Sequence, residues 1–149
     1  MWGDPIVTQF IGGKPLTEEE SWVRLLRYVG HWFLLGFGYW VVEEKATGNF
    51  LGEVGFAENQ RNIEPSLKGM LETGWVFVPR AHGQGFATEA VLAALRWSDL
   101  HFPSIRTACI IDAPNLASFR VADKCGYREF SRTTYNGALV VLFSREPRA

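Results

Sequence analysis

The sequence predicts an α+β protein: a mixed, mostly antiparallel sheet with a central parallel pair and helices on both faces. Three observations carry this. An apolar run over residues 70–78 ends at Pro79, a basic, glycine-rich turn follows, and a helical pattern without a breaker runs from Gly83 to about Leu100. A short β-branched stretch at 105–111 comes next, and two strands separated by a crossover helix are expected to be parallel. Hairpin signals stand on either side of this unit, which makes the remainder of the sheet antiparallel.

Taken in order, Thr17-Glu18-Glu19-Glu20 reads as a capping box, and Trp22, Leu25, Leu26 and Val29 follow at the spacing of one helical face. That amphipathic helix is expected to end near Gly30. Residues 31–38 are aromatic and punctuated by glycine, and they read either as core filler or as a mobile wall over a pocket. Residues 39–44 and 50–57 are strand-like and flank the turn cluster 45–49, so they form a hairpin. The polar, proline-bearing stretch 58–69 is a loop leading to the strand at 70–78. In the helix that follows the glycine-rich turn, Phe86, Ala90, Ala93 and Trp97 form one stripe, with Val91, Ala94 and Leu95 beside it. Residues 112–115 stop the 105–111 strand, Asn115 caps a short helix ending at Gly126, and Asn136-Gly137 joins 127–135 to 138–144 as a closing hairpin.

A length of 149 residues, with 47% hydrophobic and 14% aromatic content, fits one domain over residues 1–149 with an ordinary core. A net charge of −1 offers no global attraction for nucleic acid or for an acidic membrane. Cys109 and Cys125 lack the spacing of a metal or redox pair, so they read as reduced core thiols and no metal is expected. No apolar stretch approaches the roughly 20 residues that cross a bilayer, and no basic segment with an apolar core opens the chain. A cytoplasmic protein without a membrane partner is the expectation.

The chemistry concentrates in the turn before the central helix. The first N–H groups of a helix have no partner within it and carry the positive end of the helix dipole, so an anion fits there. Gly83 and Gly85 can adopt positive φ and let a phosphate approach the main chain, while Arg80 and His82 can add charge. An isolated pair of glycines is also compatible with a plain tight loop.

Arg80, Gly83 and Gly85 spell RxxGxG, and Phe86-Ala87-Thr88-Glu89-Ala90 follows. Downstream, Asn115-Leu116-Ala117-Ser118 continues to Lys124-Cys125-Gly126-Tyr127. The two motifs in this order resemble the GNAT family of N-acetyltransferases, and the second resembles the branch containing the ribosomal-protein N-terminal acetyltransferases. The resemblance covers nearly the whole chain. Residues 4–13 resemble a segment that in the family follows a first strand and a first helix, neither of which is recognisable here. Either the sequence starts inside a longer protein or the sheet is short of an edge strand.

The resemblance implies that acetyl-CoA is the cosubstrate. It lays the pantetheine arm along Trp75, Val76, Phe77 and Val78 and hands its pyrophosphate to the amides of His82, Gly83, Gln84, Gly85, Phe86, Ala87 and Thr88. It also puts Asn115 on a cofactor amide and Ser118 near the sulfur, as the proton donor to the departing thiolate; Ser118 could equally be a small hydroxyl bonded back to its helix. The acceptor is a primary amine, on a peptide N-terminus or a small molecule, and the aromatic stretch 31–38 borders its site. Homodimers occur in the family.

An ammonium with a pKa of about 10 must lose a proton before it attacks a thioester. Glu72 is the first candidate base, acting through water, with a solvated strand carboxylate as the equal alternative; Glu53 is the second. His82 belongs to the phosphate turn, and Tyr127 is a core residue before it is a proton donor.

Two other readings remain. Residues 83–88 approximate a dinucleotide GxGxxG, but Thr88 stands at the third glycine and the rest of the chain is too short for a doubly wound sheet. A non-catalytic acyl-CoA-binding or regulatory module would keep the binding motif without turnover.

Overall fold

The computed structural model describes residues 1–148. Its elements are α1 (Pro5–Thr8), α2 (Glu18–Leu35), β1 (Tyr39–Glu43), β2 (Phe50–Ala57), β3 (Leu71–Phe77), α3 (Phe86–His101), β4 (Thr107–Asp112), α4 (Leu116–Lys124), β5 (Arg128–Tyr135) and β6 (Ala138–Arg145). The strands form one sheet in the order β1-β2-β3-β4-β6-β5. Only β3 and β4 are parallel, so the expected mixed sheet with its central parallel pair is the one found.

Local chemistry explains the element ends. The capping box at Thr17 is complete, with Glu20 N donating to the Thr17 hydroxyl and Thr17 N donating to the Glu20 carboxylate. The helix does not stop at Gly30, however, and runs on to Leu35, where Gly36 at φ +73° terminates it. Residues 31–35 are therefore helix rather than loop. An interior glycine costs a helix only about 1 kcal/mol, and the last turns are held by tertiary contact. The Trp32 ring lies 5.1 Å from that of Trp40 and 6.4 Å from that of Trp97, and its Nε1 donates to the Tyr39 carbonyl. The central helix starts at Phe86, three residues later than its pattern suggests, because Gly83 and Gly85 at φ +74° and +87° cannot be helical.

One face of the sheet carries the main core. Val54, Phe56 and Leu71 meet Val91, Ala94 and Leu95 of α3, with Ala122 and Cys125 joining from α4 and the loop after it. Behind the other face, the 58–70 loop packs Ile63 and Leu67 against Ala108, Val140 and Leu142. Helix α2 buries no residue completely; it crosses the β1 edge, reaching one face through Trp32 and the opposite face through Arg24 and Tyr28. Cys109 and Cys125 are both buried free thiols. Tyr127 is buried too, its hydroxyl 2.6 Å from that of Thr73, which makes it a core residue. No helix among the described residues is long and apolar enough to cross a membrane.

A buried ion pair ties α3 to the last strand: Arg145 donates to both oxygens of Asp99 at 2.8 and 2.7 Å, with the side chains 6% and 13% exposed. The Arg145 hydrogen bonds hold the Asp99 carboxyl below the usual carboxylate range, although burial pulls the other way. Truncating Arg145 strands a carboxylate in a poorly solvated site, so Arg145→Met should cost about 3 kcal/mol in urea denaturation at neutral pH. A depressed native pKa stabilises above the unfolded value of about 4 and stops doing so as the pH falls through the native value. The gap between variant and parent should accordingly shrink in acid; an unchanged gap would mean that packing, not charge, is what Arg145 supplies.

Candidate functional site

Strands β3 and β4 pair at only two positions, Leu71 with Thr107 and Glu72 with Ala108, and then part. Each stays fully paired on its other side, β3 to β2 and β4 to β6. Backbone groups in a strand alternate in direction. The Leu71 N–H donates to the Arg106 carbonyl, so the main chain of Thr73, Trp75 and Phe77 also faces the gap. The Val78 N–H donates to Leu51 instead, and Val76 shares its direction. Of the four residues expected along a ligand, Trp75 and Phe77 thus offer main chain to the gap, while Val76 and Val78 turn theirs to β2.

The gap leads to the glycine-rich turn. Residues Pro79–Ala81 form a 3-10 turn, and the His82 amide is consumed there by the Pro79 carbonyl, so it is no longer available to a ligand. The amides of Gly83, Gln84, Gly85, Phe86, Ala87 and Thr88 find no partner among the described residues, and the helical ladder first closes with Glu89 N on Gly85 O. Six N–H groups are therefore free at the positive end of a 16-residue helix. Added β-carbons at Gly83 and Gly85 would meet nothing within 4 Å, so the space in front of these amides is open. The flanking side chains are engaged elsewhere: Arg80 donates to the Phe50 carbonyl at 2.6 Å, the His82 ring lies 3.0 Å from the Phe77 carbonyl, and Gln84 donates to Arg80 O. Across the gap, the Asn115 side-chain oxygen accepts from the Ser118 amide as the cap of α4. The Ser118 hydroxyl makes no hydrogen bond among the described residues, so it is not bonded back to its own helix.

On the face opposite α3, Glu72 lies on β3 at the edge of the gap and Glu53 on the adjacent β2, Glu53 opposite Val76 and Glu72 opposite Ala57. Their situations differ. Arg61 grips Glu72 with two hydrogen bonds, of 2.8 and 2.5 Å, and also donates to the Tyr135 hydroxyl at 3.2 Å. Such a bidentate pair occupies both carboxylate oxygens, which a proton acceptor needs free. Glu53 instead takes Trp2 Nε1 at 3.0 Å and the Tyr28 hydroxyl on a single oxygen, Oε1. Burial pushes its carboxyl above the usual range, against the pull of those two hydrogen bonds.

Between the two carboxylates stands Tyr39, which sequence reasoning treated only as the start of a strand. Its ring stacks on Tyr28 at 4.8 Å. A β-carbon on Gly74 would come within 2.0 Å of its hydroxyl, so the phenol lies directly on the β3 backbone beside the gap. Burial, then Glu72 and Glu53, raise its pKa and keep it protonated, leaving it a hydrogen-bond donor at neutral pH. A glycine inside a strand, such as Gly74, is the one sequence signal for this close approach. Arg61 had none, since its partners are 11 and 74 residues away. Among the described residues no group of three His, Cys, Asp or Glu side chains could hold a metal ion.

Comparison with known proteins places this arrangement. The sequence model of the family described as "Acetyltransferase (GNAT) domain" matches residues 1–128. The uncharacterized protein YkkB of Bacillus subtilis (strain 168) is 33% identical over 134 residues, 89% of this chain and 74% of that protein. Among solved structures, a protein from Bordetella pertussis assigned to GNAT-family acetyltransferases is 30% identical with a TM-score of 0.83, over 94% of this chain and 85% of its own. A spermidine N-acetyltransferase from Vibrio cholerae in complex with CoA and spermine is 18% identical with a TM-score of 0.73, over 97% and 85%, a likeness of fold.

Proposed function

Since the chain belongs to the GNAT acetyltransferase family, we propose that it transfers the acetyl group of acetyl-CoA to a primary amine by direct attack of the amine on the thioester, within one domain over residues 1–149. The observation that carries this reading is the gap between β3 and β4, whose unpaired edge runs straight to six free amides. An extended, amide-bearing arm supplies the partners that the edges of Trp75 and Phe77 lack. A pyrophosphate suits the amides of Gly83 through Thr88 and the open space before them. Asn115 keeps its side-chain nitrogen for a cofactor amide while its oxygen caps α4.

In the reaction, the acceptor ammonium gives one proton to Glu53, whose Oε2 carries no other hydrogen bond. The freed nitrogen attacks the thioester carbon, the C–N bond forms and the C–S bond breaks. The thiolate takes the second amine proton through the Ser118 hydroxyl, which is free to relay it. The Tyr39 hydroxyl and neighbouring strand N–H groups are donors for the carbonyl oxygen as it gains charge. Glu72, gripped by Arg61, shapes the pocket rather than accepting the proton.

Calorimetric titration with acetyl-CoA, coenzyme A and NAD, followed by thiol release with a panel of amines, tests the reading as a whole. Binding of NAD alone would return the dinucleotide alternative, and binding without thiol release would leave an acyl-CoA-binding module. Gly85→Glu should abolish acetyl-CoA affinity, because it sets a carboxylate where the phosphates belong, while the far-ultraviolet dichroism stays that of the parent; retained affinity would remove the pyrophosphate from this turn. Glu53→Gln should lower kcat by a factor of about 10² or more. In the parent, kcat should rise with pH through an apparent pKa above the usual carboxylate range, since only ionised Glu53 accepts a proton and burial raises its pKa. If Glu72→Gln proved the more damaging of the two, the base would be Glu72. Ser118→Ala should depress kcat more than acetyl-CoA affinity, and equal turnover would make Ser118 a packing residue.

A further inference from the structure

Beside Glu53 the molecule has a cleft of 380 Å³, walled by Trp2, Tyr28, Trp32 and Tyr39 and carrying one cation, Arg24. Arg24 has no carboxylate within ion-pair distance among the described residues. Its guanidinium lies 3.7 Å above the Trp2 ring, donates once, to the Tyr28 hydroxyl at 3.3 Å, and holds a buried Nε without a partner. A partly desolvated, unpaired guanidinium calls for an anion. On the other side of the Tyr28 hydroxyl, Glu53 keeps Oε2 free for a cation.

Resting on the acetyl-transfer reading, we propose that the acceptor is a free α-amino acid with an apolar side chain, its carboxylate on Arg24, its amine at Glu53 and its side chain among the aromatic walls. Tyr28 links Arg24 to Glu53 through one hydroxyl, so a cation and a carboxylate face the same cleft side by side, and neither is in an ion pair among the described residues. A polyamine is a poor fit: its second cation would meet Arg24, the cleft's lining has no carboxylate besides Glu53, and Glu72 is already paired with Arg61. A peptide N-terminus carries an amide where Arg24 requires a carboxylate.

The test is calorimetric binding in the presence of coenzyme A, with L-phenylalanine, L-phenylalaninamide, phenethylamine and spermidine as probes, alongside thiol release from acetyl-CoA. The parent should bind L-phenylalanine about tenfold or more tighter than either carboxylate-free analogue. Arg24→Met, which keeps an apolar stem on Trp2, should erase that preference while leaving phenethylamine affinity unchanged, and Arg24→Lys should restore part of it; melting temperatures of the variants check that they are folded. Equal or tighter binding of phenethylamine, the amide or spermidine by the parent, or no binding of any probe, overturns the assignment. So does an Arg24→Met variant that weakens acid and amine alike. Thiol release decides the other question separately, since an amino acid that binds through Arg24 without releasing thiol would sink the transferase reading and leave this subsite standing.

Discussion

Two residue pairs are all that join β3 to β4, and the strand edge beyond them must find hydrogen-bond partners outside the sheet. Each strand is locked to its other neighbour by a run of six pairs, so the two cannot drift together again without breaking those ladders. At the point of parting, the Tyr127 phenol reaches in from the start of β5 and meets the Thr73 hydroxyl, filling with a buried ring the space that backbone pairing would otherwise close. The core on the α3 side thus holds the two strands apart.

Everything around the gap follows from its direction. Because β4 comes back parallel to β3, the connecting helix begins where β3 ends, and its free amides stand at the mouth of the gap. The capping oxygen of Asn115 serves the same end from the β4 side, placing a short second helix there. Neither helix start uses a charged side chain to satisfy its amides, so a ligand anion meets no competitor. On the far face, the absence of a side chain at Gly74 admits the Tyr39 ring, and that ring separates two carboxylates with different surroundings. One is neutralised by a bidentate arginine; the other is half-buried and left with an open oxygen. Environment, rather than residue type, sets the two carboxylates apart.

Much of this was legible in the chain. The alternation and turn chemistry of Asn136-Gly137, the capping box at Thr17 and the strand-turn-helix of 70–100 each act within a few residues, so the sequence by itself determined the α+β class, the crossover and the position of the glycine-rich turn. Local information also placed Asn115 as a cap, because an N-cap bonds within its own helix. What the tertiary structure decided was everything that depends on partners distant in the chain. Helix α2 outlasts Gly30 because Trp32 finds Trp40 and Trp97. His82 loses its amide to a 3-10 turn that only the packing of Ala81 makes visible. Above all, Glu72 and Glu53 look alike in sequence, each a carboxylate inside a strand. Their difference comes from Arg61 on a loop and from Tyr28 and Trp2 on separate segments, and the electrostatics of a carboxylate are set by its neighbours in space.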